Sequence, residues 1–300
     1  MRPLDTLAAI VAAIVWGLAF IASKYGVEAA PPFLLTALRF AFAAFPIVLF
    51  VKAPAAPARL IVLYGALIGV GQFGLLFLAI RDGMPVGLAS LVVQMQVYFT
   101  ILLAALAFGE RPTRPQLFGG GLALLGMAAI ASARTGHASL APLALTLAAA
   151  FCWGAGNVVG KRVGRVDPIA FIAWTSLVAP APMLALSLVV EPRGTIDALA
   201  HPTLKLALSV AALSYGGTLV AYGLWARLLA TYSAAAVAPF ALLVPVVGMV
   251  AASLLFAERP SPAEWFGAAL VMIGLAVNVF GARLGLRRRA PGEIGRGGLI

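Results

Sequence analysis

The sequence predicts an all-α polytopic membrane protein, ten transmembrane helices arranged as two inverted five-helix repeats. Three observations predict it. The 300 residues are 63% hydrophobic and 10% charged, with a mean hydropathy of +1.04, whereas a soluble domain carries about 25% charged residues. Charges, prolines and short polar turns cut the chain into ten apolar runs of near-bilayer length. Two separated motifs then recur in the same order. The composition excludes soluble enzymes, secreted domains, coiled coils and disordered chains.

A hydrocarbon core about 30 Å thick takes roughly 20 apolar helical residues. The runs are 4–23, 32–51, 60–80, 85–108, 116–131, 143–160, 168–190, 204–226, 233–256 and 262–281. Pro32, Pro85, Pro168 and Pro262 open four of them, at the first turn, where a missing N–H costs nothing. Helices are required because a membrane β-barrel shows short alternating segments instead. The first run is too long for a signal-peptide core and no A-x-A site follows it, so it is kept as a span.

Lys and Arg set the orientation. Fourteen of the 21 fall on the side of the N-terminus, including Lys161, Arg162 and the tail residues Arg283, Arg287, Arg288 and Arg289. Six fall on the other side, and Arg39 lies within a span. Both termini of this multi-pass protein of the plasma membrane are therefore expected in the cytoplasm. The net charge of +11 comes from this asymmetry, with no basic, aromatic-interleaved face for nucleic acid. The polybasic tail is expected to lie against anionic membrane lipid, with residues 286–300 lacking fixed structure. Cys152 is the only cysteine and reads as packing.

Phe108-Gly109-Glu110-Arg111-Pro112 recurs as Phe256-Ala257-Glu258-Arg259-Pro260, an offset of 148 that continues from Gly126 to Gly274. Trp16-Gly17 and Lys24 recur as Trp153-Gly154 and Lys161, an offset of 137. Residues 1–135 and 136–285 are thus expected to be two copies of one unit. Because five is odd, the second copy enters the membrane from the opposite side. Inverted repeats typify secondary transporters, with substrate bound near the midplane between them.

With ten spans, this repeat and the Glu-Arg-Pro turns after spans 4 and 9, the chain resembles the drug/metabolite transporter (DMT) superfamily, in particular its EamA-type exporters. Further stretches that carry the resemblance are Leu38-Arg39-Phe40, the run from Met84 to Val92, Gln94-Met95-Gln96 and the run from Trp153 to Asn157. Val237-Ala238-Pro239 and the run from Leu243 to Gly248 belong with them. Within the branch the chain is similar to YddG-like amino-acid exporters and cysteine/O-acetylserine exporters. The resemblance implies transport of small metabolites and places spans 1 and 6 at a central cavity.

Polar side chains inside lipid are costly and so mark candidate sites. Gln94 and Gln96 lie about 200° apart on a helix, so only one can line a cavity, while Gln94 and Tyr98 share a face. The alternative for this face is an interhelical hydrogen bond. Arg39 sits about 10 Å beyond the start of its span, at 1.5 Å per residue. It could hold a substrate carboxylate, or cap helix-end carbonyls, or snorkel outward. Trp16 and Trp153 are mid-span repeat mates, either packing or apolar cavity walls. Asn157 has Phe20 as its mate, which breaks the symmetry with one polar group. Gln72 and Tyr222 complete the polar set, and Trp225 and Arg227 read as an interfacial belt. Pro239 and Pro245 interrupt span 9, freeing carbonyls that either line a cavity or form a packing kink.

All ten acidic residues and both histidines lie in turns, span ends or tails. No proton relay or membrane-embedded hydrolase can be assembled from them. The expected substrate-binding set is Trp16, Arg39, Gln72, Gln94, Gln96, Tyr98, Trp153, Asn157, Tyr222 and Pro239. The expected activity is export of amino acids or related metabolites by alternating access, as facilitated diffusion or exchange. Neither cofactor nor metal is called for, and a monomer is expected.

Overall fold

The structure, a computed structural model, describes residues 1–134 and 139–281, with the backbone alone at 234 and 235. His137 and the basic tail lie outside the described residues. Ten helices are long and apolar enough to cross a membrane: Pro3–Ala29, Pro32–Leu49, Ala58–Arg81, Val86–Phe108, Arg114–Arg134, Ala141–Val163, Pro168–Val190, Leu204–Thr231, Ala238–Phe256 and Pro262–Phe280. We number them spans 1 to 10. Each satisfies its own backbone, as lipid demands. No strand occurs among the described residues.

A short helix not expected from the sequence, Pro192–Ala200, follows span 7. It is too short and polar to cross a bilayer, and it docks through Thr195, whose hydroxyl lies 2.6 Å from that of Ser187. The side chains at the span ends record which turns share a side. Asp5 meets Tyr232 and Arg227, and Glu110 pairs with Lys161, on the side of the N-terminus. Glu28 meets Lys205, and Arg81 pairs with Glu191, on the opposite side.

Spans 5 and 10 show the inversion most plainly. A methyl group added at Gly119 would lie 2.5 Å from the Gly274 carbonyl, and one at Gly274 would lie 2.5 Å from that of Gly119. Gly126 and Gly267 repeat the pattern at 2.5 and 2.6 Å. The offset of 148 carries Gly119 to Gly267 and Gly126 to Gly274, so each contact is the image of the other. The helices run antiparallel about a two-fold, with glycines where the backbones touch. Their N-terminal caps also match. Ser261 and Glu264 form a reciprocal capping box, and the Gln116 side chain accepts from Thr113 N–H at 2.8 Å, as such boxes do.

The two repeats interleave rather than stand apart. Span 1 presses on span 9, where Gly17 would place a methyl 2.6 Å from Val247 Cβ, and span 6 presses on span 4, where Gly154 would place one 2.7 Å from Phe99 Cβ. These contacts are again images of each other. Spans 1, 8 and 9 form one bundle, and spans 6, 3 and 4 the other.

Four spans change helical geometry internally, also in mirrored pairs. Span 4 tightens to a 3₁₀ turn at Val93–Met95, and span 9 does so at Ala238–Leu242. Pro239 explains the second break; span 4 has no proline there, so its break follows tertiary packing rather than local sequence. Spans 3 and 8 widen to π-helix at Ala66–Phe73 and Ala212–Val220, a geometry frequent at functional sites.

The glycine contacts give a direct test. Gly126→Ala forces a methyl into the Gly267 carbonyl and should destabilise the protein by about 1–3 kcal/mol. Gly121, with open space around its absent side chain, should gain up to about 1 kcal/mol as alanine. Thermal unfolding in detergent should move in opposite directions for the two variants.

Candidate functional site

Where the two bundles face each other, spans 4 and 9 pack together at one end only. Span 4 is buried on every face from Val86 to Met95, apart from the first contacts at Pro85. From Gln96 to Ile101, more than one full turn, every residue is half-buried. Span 9 mirrors this: Val244, Pro245, Gly248, Met249, Ala251 and Ala252 are buried, while 238–243 are half-buried. The bundles therefore meet on the side opposite the N-terminus and part towards the N-terminal side. Polar residues of the interior gather in two clusters.

The 3₁₀ turn in span 4 delivers Gln96 to span 6. Asn157 Nδ2 donates to Gln96 Oε1 at 2.8 Å and to Thr100 Oγ1 at 3.0 Å. Gln96 Nε2 and Asn157 Oδ1 have no hydrogen-bond partner among the described residues. The cluster thus keeps one donor and one acceptor group for a ligand. Trp153, one turn before Asn157, packs half-buried between two hydrophobic clusters.

The opposite bundle supplies aromatic rings, and span 2 supplies a charge that reaches both bundles. The π-helical stretch of span 8 presents the Gly217 carbonyl to Trp16 Nε1, which donates to it at 3.0 Å. The Trp16 ring meets Tyr222 edge-on at 5.0 Å between centroids and Trp225 at 5.2 Å, within the favourable range for aromatic pairs. Arg39 is 3% exposed. It donates to Thr218 Oγ1 through Nε (3.3 Å) and Nη2 (3.1 Å) and stacks over Phe73, 3.7 Å from the ring centroid, a cation–π contact. Ser214 Oγ holds the Arg39 carbonyl at 2.8 Å. No acidic side chain pairs with Arg39 among the described residues. The guanidinium is anchored without being neutralised, so the site has one fixed positive charge.

The remaining expected residues do not join these two clusters. Gln94 is 6% exposed within the 3₁₀ turn. The Tyr98 ring and hydroxyl lie against Gly119, Gly120 and Gly274, on the crossing of spans 5 and 10, and its buried hydroxyl has no partner. Gln72 is 1% exposed in the π-helical stretch of span 3, and its Oε1 is buried and unpartnered. Pro239 is half-buried in the 3₁₀ turn of span 9. Thr100 joins the Gln96 cluster without having been singled out from the sequence, and Thr218, one of the polar residues of span 8, joins Arg39. Trp225, read as an interfacial ring, instead completes the aromatic group around Trp16. The one signal available was spacing: Thr218 and Trp225 lie on the same side of span 8 as Tyr222.

A model of the EamA-like transporter family matches residues 5–132 and again 140–280. The chain belongs to the EamA-like transporter family. Its relatives include a probable amino-acid metabolite efflux pump of Salmonella typhimurium (strain LT2), 40% identical over 96% of this chain and 99% of that protein. A protein of the same description from Escherichia coli (strain K12) is 41% identical over 93% and 96%. A solved crystal structure with 23% identity superposes at a TM-score of 0.64, covering 94% of this chain and 99% of that one; it shares the fold. The transporter-family pattern and the mirrored bundles describe one architecture.

The Arg39 anchor is testable by stability. Thr218→Val removes the hydroxyl that accepts from a buried guanidinium and should cost about 1–3 kcal/mol. Thr218→Ser should retain most of the wild-type stability, and thermal unfolding in detergent should separate them.

Proposed function

We propose that this EamA-like transporter exports amino acids or closely related small metabolites across the inner membrane by alternating access. The observation that carries the reading is the pair of mirrored bundles, packed at one end and parted at the other, with unlike chemistry on the two walls of the parting. Gln96 and Asn157 offer one donor and one acceptor group on one wall. Trp16, Tyr222 and Trp225 occupy the other, and the un-neutralised Arg39 of span 2 is bonded to it through Thr218.

A zwitterion fits such a pair of walls. Its carboxylate is drawn to the guanidinium, whose retention in lipid without an acidic partner costs about 2.5–3.5 kcal/mol on insertion scales. Its ammonium is met by amide and hydroxyl oxygens, and varied side chains rest against the indole and phenol rings. Trp153 and Pro239 would border the same space, and Gln72 with its orphaned oxygen, Gln94 and Tyr98 would act behind it. The family membership and the description of both efflux-pump relatives support this substrate class. We place the termini in the cytoplasm because Lys and Arg concentrate on the N-terminal side, so the parting opens towards the cytoplasm, as loading for export requires. The moving parts are the two interleaved bundles, each drawing on both repeats, residues 1–135 and 136–285. A monomer suffices, since both walls come from one chain.

Every carboxylate among the described residues lies at a span end, in a turn or in the short helix Pro192–Ala200, so no buried acid is available to relay protons through the midplane. We therefore expect facilitated diffusion or exchange. In proteoliposomes, counterflow of a labelled amino acid should saturate and should persist when a protonophore collapses the proton gradient. Asn157→Ala or Gln96→Ala should cut that flux several-fold while stability falls by only about 0.6 kcal/mol, the mean for a hydrogen bond between membrane helices. Flux abolished by the protonophore would overturn uncoupled transport, and unchanged flux in both variants would overturn the assigned wall.

A further inference from the structure

The two Glu-Arg-Pro turns are repeat mates, yet their glutamates have different partners. Glu258, in the turn after span 9, reaches across to the other repeat and caps span 4. Its Oε1 accepts from Val86 N–H at 2.8 Å and its Oε2 from Gly87 N–H at 3.0 Å. A carboxylate there meets the positive end of the helix and two charge-assisted hydrogen bonds. Around this contact the start of span 4 is closed on span 9: a methyl at Gly87 would lie 3.1 Å from Met249 Cα and 3.2 Å from Ala252 Cβ. Ala257, just before Glu258, holds φ at 52°, a left-handed conformation costly for alanine; it aims the carboxylate at the helix.

Glu110 occupies the equivalent place on the other side, after Gly109 at φ 67°. The offset of 148 makes residues 234 and 235, in the helical turn Ala234–Val237 that leads into span 9, the counterparts of Val86 and Gly87. Glu110 pairs with Lys161 at the end of span 6. The mate of Lys161 is Lys24, at the same place on span 1. Lys24 is turned to Glu28, with Nζ 3.8 Å from its carboxylate. It nonetheless stands beside the Glu258 turn, because its neighbour Tyr25 meets Phe256 edge-on at 5.1 Å between centroids. At the other end Lys161 Nζ lies 5.1 Å and Arg162 Cζ 5.6 Å from the ring centroid of Phe108, the mate of Phe256. The lysines hold corresponding positions at both ends, whereas the glutamates are engaged differently.

We propose that Glu258 and Glu110 are the two gating residues of the transport cycle. Each carboxylate alternates between the N-terminal N–H groups of the facing broken helix, which closes its side, and the lysine at the end of span 1 or span 6, which holds it while its side is open. The present state has the Glu258 gate closed and the Glu110 gate released. Turning the molecule over by its own pseudo-symmetry closes Glu110 on residues 234 and 235 and passes Glu258 to Lys24. The two states use the same kinds of bond, so they stay close in energy, and their fixed charges never leave the span ends.

The inference rests on the alternating-access reading, but its test reads conformation rather than flux. In a Cys152→Ser background, Ala252→Cys places a thiol in the seam beside Gly87, where Ala252 is 0% exposed. Labelling by a membrane-impermeant maleimide from the Glu258 side then reports opening of that side. Glu258→Gln weakens a partly buried cap more than it weakens an exposed ion pair, so labelling should rise about tenfold, the effect of losing one charge-assisted bond. Glu110→Gln should lower labelling below the Ala252→Cys parent, and the double variant should return it close to the parent. That return distinguishes a shifted equilibrium from a damaged fold, since a second lesion does not repair unfolding. The proposal is overturned if both single variants move labelling in one direction, if neither moves it, or if the double variant labels faster than Glu258→Gln alone. Labelling that follows the expected pattern while amino-acid counterflow is absent would uphold the gates and reject the substrate class.

Discussion

A chain that crosses a bilayer five times ends on the far side from where it began, and a second copy of the unit must then run inverted. Lipid enforces this, because it leaves every backbone group to find its partner within the helix and admits no detour of irregular chain. The rest of this protein depends on that constraint. The reciprocal glycine contacts of spans 5 and 10, the matched caps at Thr113 and Ser261, and the paired 3₁₀ and π-helical stretches are all consequences of one unit meeting its own inverted image.

Symmetry of sequence does not require symmetry of state. An inverted pair can pack spans 4 and 9 against each other at one end or the other, and close packing at both would leave no path. This structure keeps the contacts within each bundle in mirrored form, Gly17 on Val247 and Gly154 on Phe99, and gives up the mirror where the bundles face each other. Close contacts such as those at Gly17 and Gly154 hold each bundle as a body, since packed interiors shift between discrete arrangements rather than deform smoothly.

The interior chemistry also departs from the repeat. Arg39, on span 2, reaches Thr218 of one bundle and Phe73 of the other, whereas Asn157 links Gln96 and Thr100 within one bundle, so the polar groups of the interior are placed asymmetrically. A guanidinium stacked on a ring and held by one hydroxyl is fixed in position while its charge remains available. Two amides that satisfy each other only in part are similarly held in place while keeping capacity for a ligand. The walls are thus organised before anything binds, which limits the ordering cost of recognition.

The sequence alone determined the all-helical class, the ten spans and the odd repeat, because each follows from composition, length or recurrence along the chain, and its motifs carried the resemblance to the transporter family. It also marked Trp16, Arg39, Gln96 and Asn157, since a polar or bulky group in mid-span stands out against an apolar background. Tertiary structure alone decided which of those marks meet. Tyr98 lies on the crossing of spans 5 and 10, Trp225 leaves the expected interface for Trp16, and span 4 breaks without a proline. The docked helix at Pro192–Ala200 is likewise held by Ser187 and Thr195 rather than by its own periodicity. In a chain so uniformly apolar, hydrophobic periodicity carries little information about which face turns inward. The faces are settled by small residues and broken helical turns fitting against one another, which only the assembled bundle specifies.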